Sequence, residues 1–203
     1  DYADQAYVAK KSTAFDLLRE RIRLNQPQKE VSEKRSSLVI GLPAAVHLVE
    51  DMHLWRRFFD LLGITTLSSE VAGNAAKLGT KLSQAEFCAP ITAMHGHARW
   101  LLDHADYVFM PLYLENKFKD GRRQFCYYTQ FLPALTAGMK EEDDGRFLRP
   151  VIKYLYTPFH TKMQLYRMLQ TIAPGEWGFL EVASAYDRAL EADQEYRQKL
   201  KDL

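Results

Sequence analysis

The sequence predicts an α/β fold, a Rossmann-like parallel sheet with flanking helices and a helical C-terminal part. Three observations predict it. Short apolar runs rich in β-branched residues alternate with helical periods between residues 37 and 114, the connections between them are only a few residues long, and after Arg149 the period is helical alone. Alternation of this kind suits parallel strands joined by right-handed crossovers. In such sheets ligands sit at the carboxyl ends of the strands.

Taken in order, Ala14, Phe15, Leu18 and Ile22 recur at helical spacing, and the polar stretch NQPQKEVSEKRSS that follows reads as a linker. Residues 1–36 are therefore an N-terminal helix and linker, 37–148 an α/β domain, and 149–203 a helical region packing on it or on a neighbouring domain. SLVIGLP ends in Gly41 and Pro43 and reads as a buried strand. In HLVEDMHLWRRFFDLLG the apolar residues Leu48, Met52, Trp55, Phe59 and Leu62 step by three or four, and Gly63 stands where a helix C-cap belongs. ITTLSS supplies a second strand, and SEVAGNAAKLGTKL a weaker helix loosened by Gly73 and Gly79. A stronger helix begins near Pro90. ADYVFMPLYL is a third strand that ends or bulges at Pro111. Gly41 to Pro43 and Pro111 to Leu114 should share one edge. PVIKYLYTPFHTKMQLYRMLQTI and the final segment are helical by period, the latter with Phe179, Val182, Tyr186, Leu190 and Leu200 in one stripe. The acidic run KEEDDG at 140–145 reads as a solvated loop.

The 27 Lys and Arg nearly balance the 26 Asp and Glu, so no bulk field favours nucleic acid or an anionic membrane surface. No apolar run approaches the roughly 20 residues of a membrane span, and the polar start is not a secretory signal, so a cytoplasmic location is expected. The chain begins with Asp, which leads us to expect partner domains outside it. Walker A, GxGxxG and GxSxG motifs are absent. Two cysteines are too few for a disulfide scaffold.

The cysteines carry the chemistry. Pro90 suits the first helical position, which puts Cys88 just before a helix N-terminus, where unpaired amides favour a thiolate. Ile91, Met94, Ala98, Leu101 and Leu102 form the apolar stripe of that helix. His95 falls at its edge and His97 about 200° further round, so the pair cannot easily ligate one ion. Gly96 between them allows close approach by another backbone or a cofactor. His47 and His53 read as helix-surface or interface groups. Cys126 follows the third strand and can meet Cys88 at one sheet edge. Two thiolates fall short of the four that a cluster commonly takes, so a second subunit, a missing domain or a non-cysteine ligand must complete one. Arg122 and Arg123 beside Phe125, Tyr127 and Tyr128 are a candidate phosphate site or a loop-to-core junction.

IGLPAAVHLVEDMHLWRRFFDLLGITTLSSE, AEFCAPITAMHGHARWLL, ADYVFMPLY and FCYYTQFLPAL, in that order, resemble the domain that follows the ATPase modules in large acyl-CoA dehydratase activase-related proteins, relatives of the 2-hydroxyacyl-CoA dehydratase activators. Ile40 to Pro43, Trp55, Phe58 to Gly63, Glu86 to Pro90, His95 to His97, Pro111, Cys126 and Pro133 stand at matching places. Ala44 stands where the family has a basic residue, and Tyr127 where a proline is expected after the second cysteine. The resemblance implies a fold related to the dehydratase subunits, which hold 4Fe-4S clusters through cysteines. It makes Cys88 and Cys126 candidate cluster ligands with His95 and His97 near them, places ATP only in domains outside this chain, and implies ATPase and dehydratase-like partners, with a homodimer as one way to complete a cluster. On this reading the domain takes part in ATP-driven electron transfer to a 2-hydroxyacyl-CoA dehydratase-like partner. The alternatives are a cluster-free assembly module that docks those partners, and a stand-alone acyl-CoA-binding enzyme with His95 as acid or base.

Overall fold

The computed structural model describes residue 20 and residues 36–83, 85–118, 121–124, 126–132, 134, 145–153 and 157–203. The expected N-terminal helix and linker, Phe125, Pro133 and the acidic residues 141–144 lie outside them. The described elements are β1 (Val39–Leu42), a 3-10 turn (Val46–Val49), α1 (Met52–Leu61), β2 (Thr65–Ser68), a second 3-10 turn (Ser69–Val71), α2 (Ala75–Leu82), α3 (Ala89–Leu102), β3 (Tyr107–Phe109) and β4 (Leu112–Tyr113). After these come β5 (Glu115–Phe118), β6 (Gly121–Gln124), α4 (Tyr127–Gln130), β7 (Phe147–Leu148), β8 (Val151–Ile152), α5 (Pro158–Ile172) and α6 (Phe179–Lys201).

The expected α/β architecture is present. Four strands pair in parallel in the order β2-β1-β3-β7, with Ile40 opposite Thr66 on one side and Tyr107 on the other. Because β2 lies to one side of β1 and β3 to the other, the chain reverses its direction of travel between β1 and β3, which opens a crevice at their carboxyl ends. The strand expected over ADYVFMPLYL breaks at Pro111, as read: β3 stops at Phe109 and β4 resumes at Leu112, paired in parallel with β8. The ladder continues through the break, since Met110 and Leu112 donate their amides to the carbonyls of Leu148 and Pro150. Prolines at 111 and 150 remove one donor from each strand without separating them.

One expectation is corrected here. The helix read from residue 150 onward begins only at Pro158, and Val151–Ile152 is a strand. Pro158 would interrupt a helix running on from residue 150, whereas it fits the first turn of α5, where no amide hydrogen is needed. Gly63, at φ 70°, terminates α1 as expected of a residue that reaches the left-handed region without strain.

The core lies between the sheet, α1 and α6. Trp55, Phe58, Phe59, Phe109 and Tyr186 form one aromatic cluster, with Phe59 edge-on to Phe109 at 5.2 Å. Along α6 the buried face is Val182, Ala185, Tyr186, Ala189 and Asp193. The expected stripe thus holds at its start, but Leu200 is only half-buried and a carboxylate occupies the last buried position. Trp177, ahead of α6, donates its indole N–H to the Leu62 carbonyl at 3.0 Å and pins the α5–α6 turn to the end of α1.

Candidate functional site

α3 leads into β3 and so runs against the parallel strands, which brings its N-terminus to their carboxyl edge. Cys88 is its N-cap residue, with φ −63° and ψ 151°, and Pro90 sits in the first turn. The Cys88 carbonyl accepts the amides of Ile91 and Thr92, and its side chain is exposed. Cys126 reaches the same edge by another route. From the end of β4 the chain makes an antiparallel hairpin, β5 with β6, in which Gln124 returns opposite Glu115, and Cys126 follows as the N-cap of α4. It too is exposed. Its thiol is held below the ordinary range chiefly by the Thr129 amide, with the Thr129 hydroxyl and the Tyr128 amide adding to it against a smaller effect of burial.

The two cysteine segments lie side by side. Phe87, next to Cys88, packs edge-on against Tyr128 with ring centroids 5.6 Å apart. Phe87 also stacks on His95 at 5.5 Å. His95 is buried, and its Nδ1–H donates to the Ile91 carbonyl at 2.9 Å. His97 faces the other way, toward the backbone at Ser69, and burial lowers its pKa. Gly96 between them faces α2, where a Cβ would meet the Ala75 carbonyl oxygen at 1.8 Å, so the close approach its position allows is made by a backbone. Among the described residues no group of three or more His, Cys, Asp and Glu side chains is placed to share a metal ion. Cys88 and Cys126 are both free and exposed thiols.

A polar network surrounds the start of α1, after β1. After β1 the backbone turns through Val46 at φ 55°, a strained conformation for a β-branched residue, held in part by a 2.8 Å bond from the Ala44 amide to the Ser69 hydroxyl. Of the two readings, helix surface or interface, His47 fits the second: it is buried and stands edge-on to Tyr113 at 4.5 Å. Tyr113 accepts the Trp55 indole N–H at 2.7 Å and hydrogen-bonds Asp51, whose pKa burial raises despite the nearby Arg197. Arg197 joins Asp51 to Asp193. His53 stacks on Tyr196 of α6 at 4.3 Å, an interface inside the chain. Nothing local in HLVED marks these residues, because their partners, Tyr113 and Arg197, lie far along the chain.

Burial pushes His47 down from 6.5 to about 4. Between those values the unfolded chain takes up a proton that the folded chain refuses. Stability therefore falls as pH falls through that window, by up to about 3 kcal/mol, and the loss levels off below it. His97 adds in the same direction. Asp51 opposes it, because the folded chain protonates this carboxylate at a higher pH than the unfolded chain does. Urea titrations at several pH values should show the wild-type slope and a shallower one in His47→Gln; parallel curves would contradict the assignment.

The fold is an open α/β sheet with flanking helices, and both of its cysteines are exposed. Residues 39–203 match the family described as the CoA enzyme activase uncharacterised domain (DUF2229), and the chain belongs to it. This agrees with the resemblance to acyl-CoA dehydratase activase-related proteins. No curated protein and no solved structure matches the chain. Among the described residues no helix is long and apolar enough to cross a membrane.

Proposed function

We propose that this activase-related domain holds an iron–sulfur cluster through Cys88 and Cys126 and serves ATP-driven electron delivery to a 2-hydroxyacyl-CoA dehydratase-like partner. One observation carries the reading: both exposed cysteines cap helices at the carboxyl edge of the sheet, with their flanking rings, Phe87 and Tyr128, in contact. When bound, a 4Fe-4S cluster supplies a one-electron store. The chain contributes two thiolates. The Thr129 and Tyr128 amides favour the ionised form of Cys126, and Phe87 with the buried His95 fixes the position of the Cys88 segment. A second copy of the chain or a partner domain supplies the remaining ligands, and ATP is hydrolysed outside this chain.

Anaerobic purification and reconstitution with ferrous iron and sulfide should give iron and acid-labile sulfide in equal amounts, lost in Cys88→Ser and in Cys126→Ser. Wild-type protein that stays free of both after reconstitution would overturn the proposal. The exposed rings of Tyr127, Tyr128 and Phe131 favour a second reading, a cluster-free docking surface for the same partners. In that case Tyr127→Ala with Phe131→Ala weakens partner binding, while the cysteine variants leave it intact.

A further inference from the structure

Between β7, an outer strand of the four-stranded sheet, and α5 lies an open groove of about 430 Å3, within the size range of small-molecule sites. Arg146 and Arg149 enter it from the strand side. Gln164, Arg167 and Thr171 enter from α5, where spacings of three and four put them on one helix face. Tyr107 forms part of the wall, and the described residues that line the groove include no carboxylate.

Two of the guanidinium groups are held in place. Arg146 donates to the Leu102 carbonyl at 2.7 Å, and the Arg149 guanidinium carbon sits 5.3 Å from the centroid of the Phe147 ring. Arg167 is exposed, and its own carbonyl accepts the Thr171 hydroxyl at 3.0 Å. Three guanidinium groups from two elements around one concavity focus positive potential there, and their forked donors match phosphate oxygens.

We propose that this groove binds a pyrophosphate-bearing ligand through Arg146, Arg149 and Arg167, with Tyr107 offering a face for an attached planar group. The site is separate from the cysteine edge and does not depend on a cluster.

Calorimetry on the full chain at low ionic strength, with inorganic pyrophosphate, ADP and coenzyme A as separate titrants, tests this. Binding of at least one is expected, weakening as salt is raised. Tighter binding of ADP or coenzyme A than of pyrophosphate would identify the attached group as part of the ligand. Arg167 is exposed, so Arg167→Glu should fold, and it should weaken binding by about tenfold or more. Cys88→Ser should bind as the wild type does. No heat from any titrant at millimolar concentration, equal affinity in Arg167→Glu, or loss of binding in Cys88→Ser would each overturn the proposal.

Discussion

Gly96→Ala is expected to lower stability by about 3 kcal/mol or more, a large part of the 5–15 kcal/mol that holds an ordinary domain together. In an exposed helix the same change stabilises by about 1 kcal/mol, because glycine is the poorer helix former. Here geometry reverses the sign. A Cβ on Gly96 would lie 1.8 Å from the Ala75 carbonyl oxygen and 2.8 Å from the Gly79 amide nitrogen, and one on Gly79 would lie 1.8 Å from the Thr92 carbonyl oxygen. Carbon–oxygen contacts settle near 3.3–3.6 Å, so α2 and α3 would have to separate by about 1.5 Å along their whole contact. The obstacles are backbone atoms, which cannot rotate away. Thermal unfolding should show a midpoint lower by about 6–12 °C, or an insoluble chain. Gly73→Ala is the control, since nothing lies within 4 Å of that position. The double variant Gly79→Ala with Gly96→Ala should cost less than the sum of its parts, because one separation of the helices accommodates both methyl groups. A Gly96→Ala midpoint equal to the wild type would mean that the helices do not cross here.

The same glycine shows what the sequence could and could not convey. Within His-Gly-His it signals close approach by another backbone or a cofactor, but that the neighbour is the backbone of a helix 21 residues earlier is something no local pattern reports. Cys88 was legible because Pro90 marks the start of its helix in the immediate sequence. β1 and β3 were legible because each apolar run closes on a proline, and β2 because Ile64, Thr65 and Thr66 are β-branched in succession. Val151–Ile152 was not, since two apolar residues suit a helix or a strand equally and only the pairing with Leu112–Tyr113 decides. Asp193 escaped for a related reason. It sits in α6 where the apolar stripe would continue, and its partners come from α1 and from one helical turn further along α6.

Arg197→Met should cost about 2 kcal/mol at neutral pH, and part of that loss should return on acidification. The guanidinium is shared. Its Nε donates to Asp193, while Nη2 donates to Asp51 at 2.7 Å and to the Glu50 carbonyl at 3.2 Å, tying the last turns of α6 to the start of α1. The side chains of Asp193 and Asp51 are only 7% and 15% exposed, so removing the guanidinium strands two carboxylates where water reaches them poorly. Breaking a fully buried pair costs about 3–5 kcal/mol. Arg197 is itself 42% exposed, and screening by solvent argues for the smaller figure. In the variant Asp51, whose pKa burial already raises, loses the cation that offsets it, so its protonation relieves the repulsion and the difference from wild type should narrow as pH falls. Asp193→Asn in the Arg197→Met background should recover part of the loss, because it removes one of the stranded charges. Urea unfolding of the three proteins at neutral and acidic pH measures each step. A single variant within about 0.5 kcal/mol of wild type would show that solvent already carries the charge, and the link from α6 through Asp51 to Tyr113 would then lose its energetic basis.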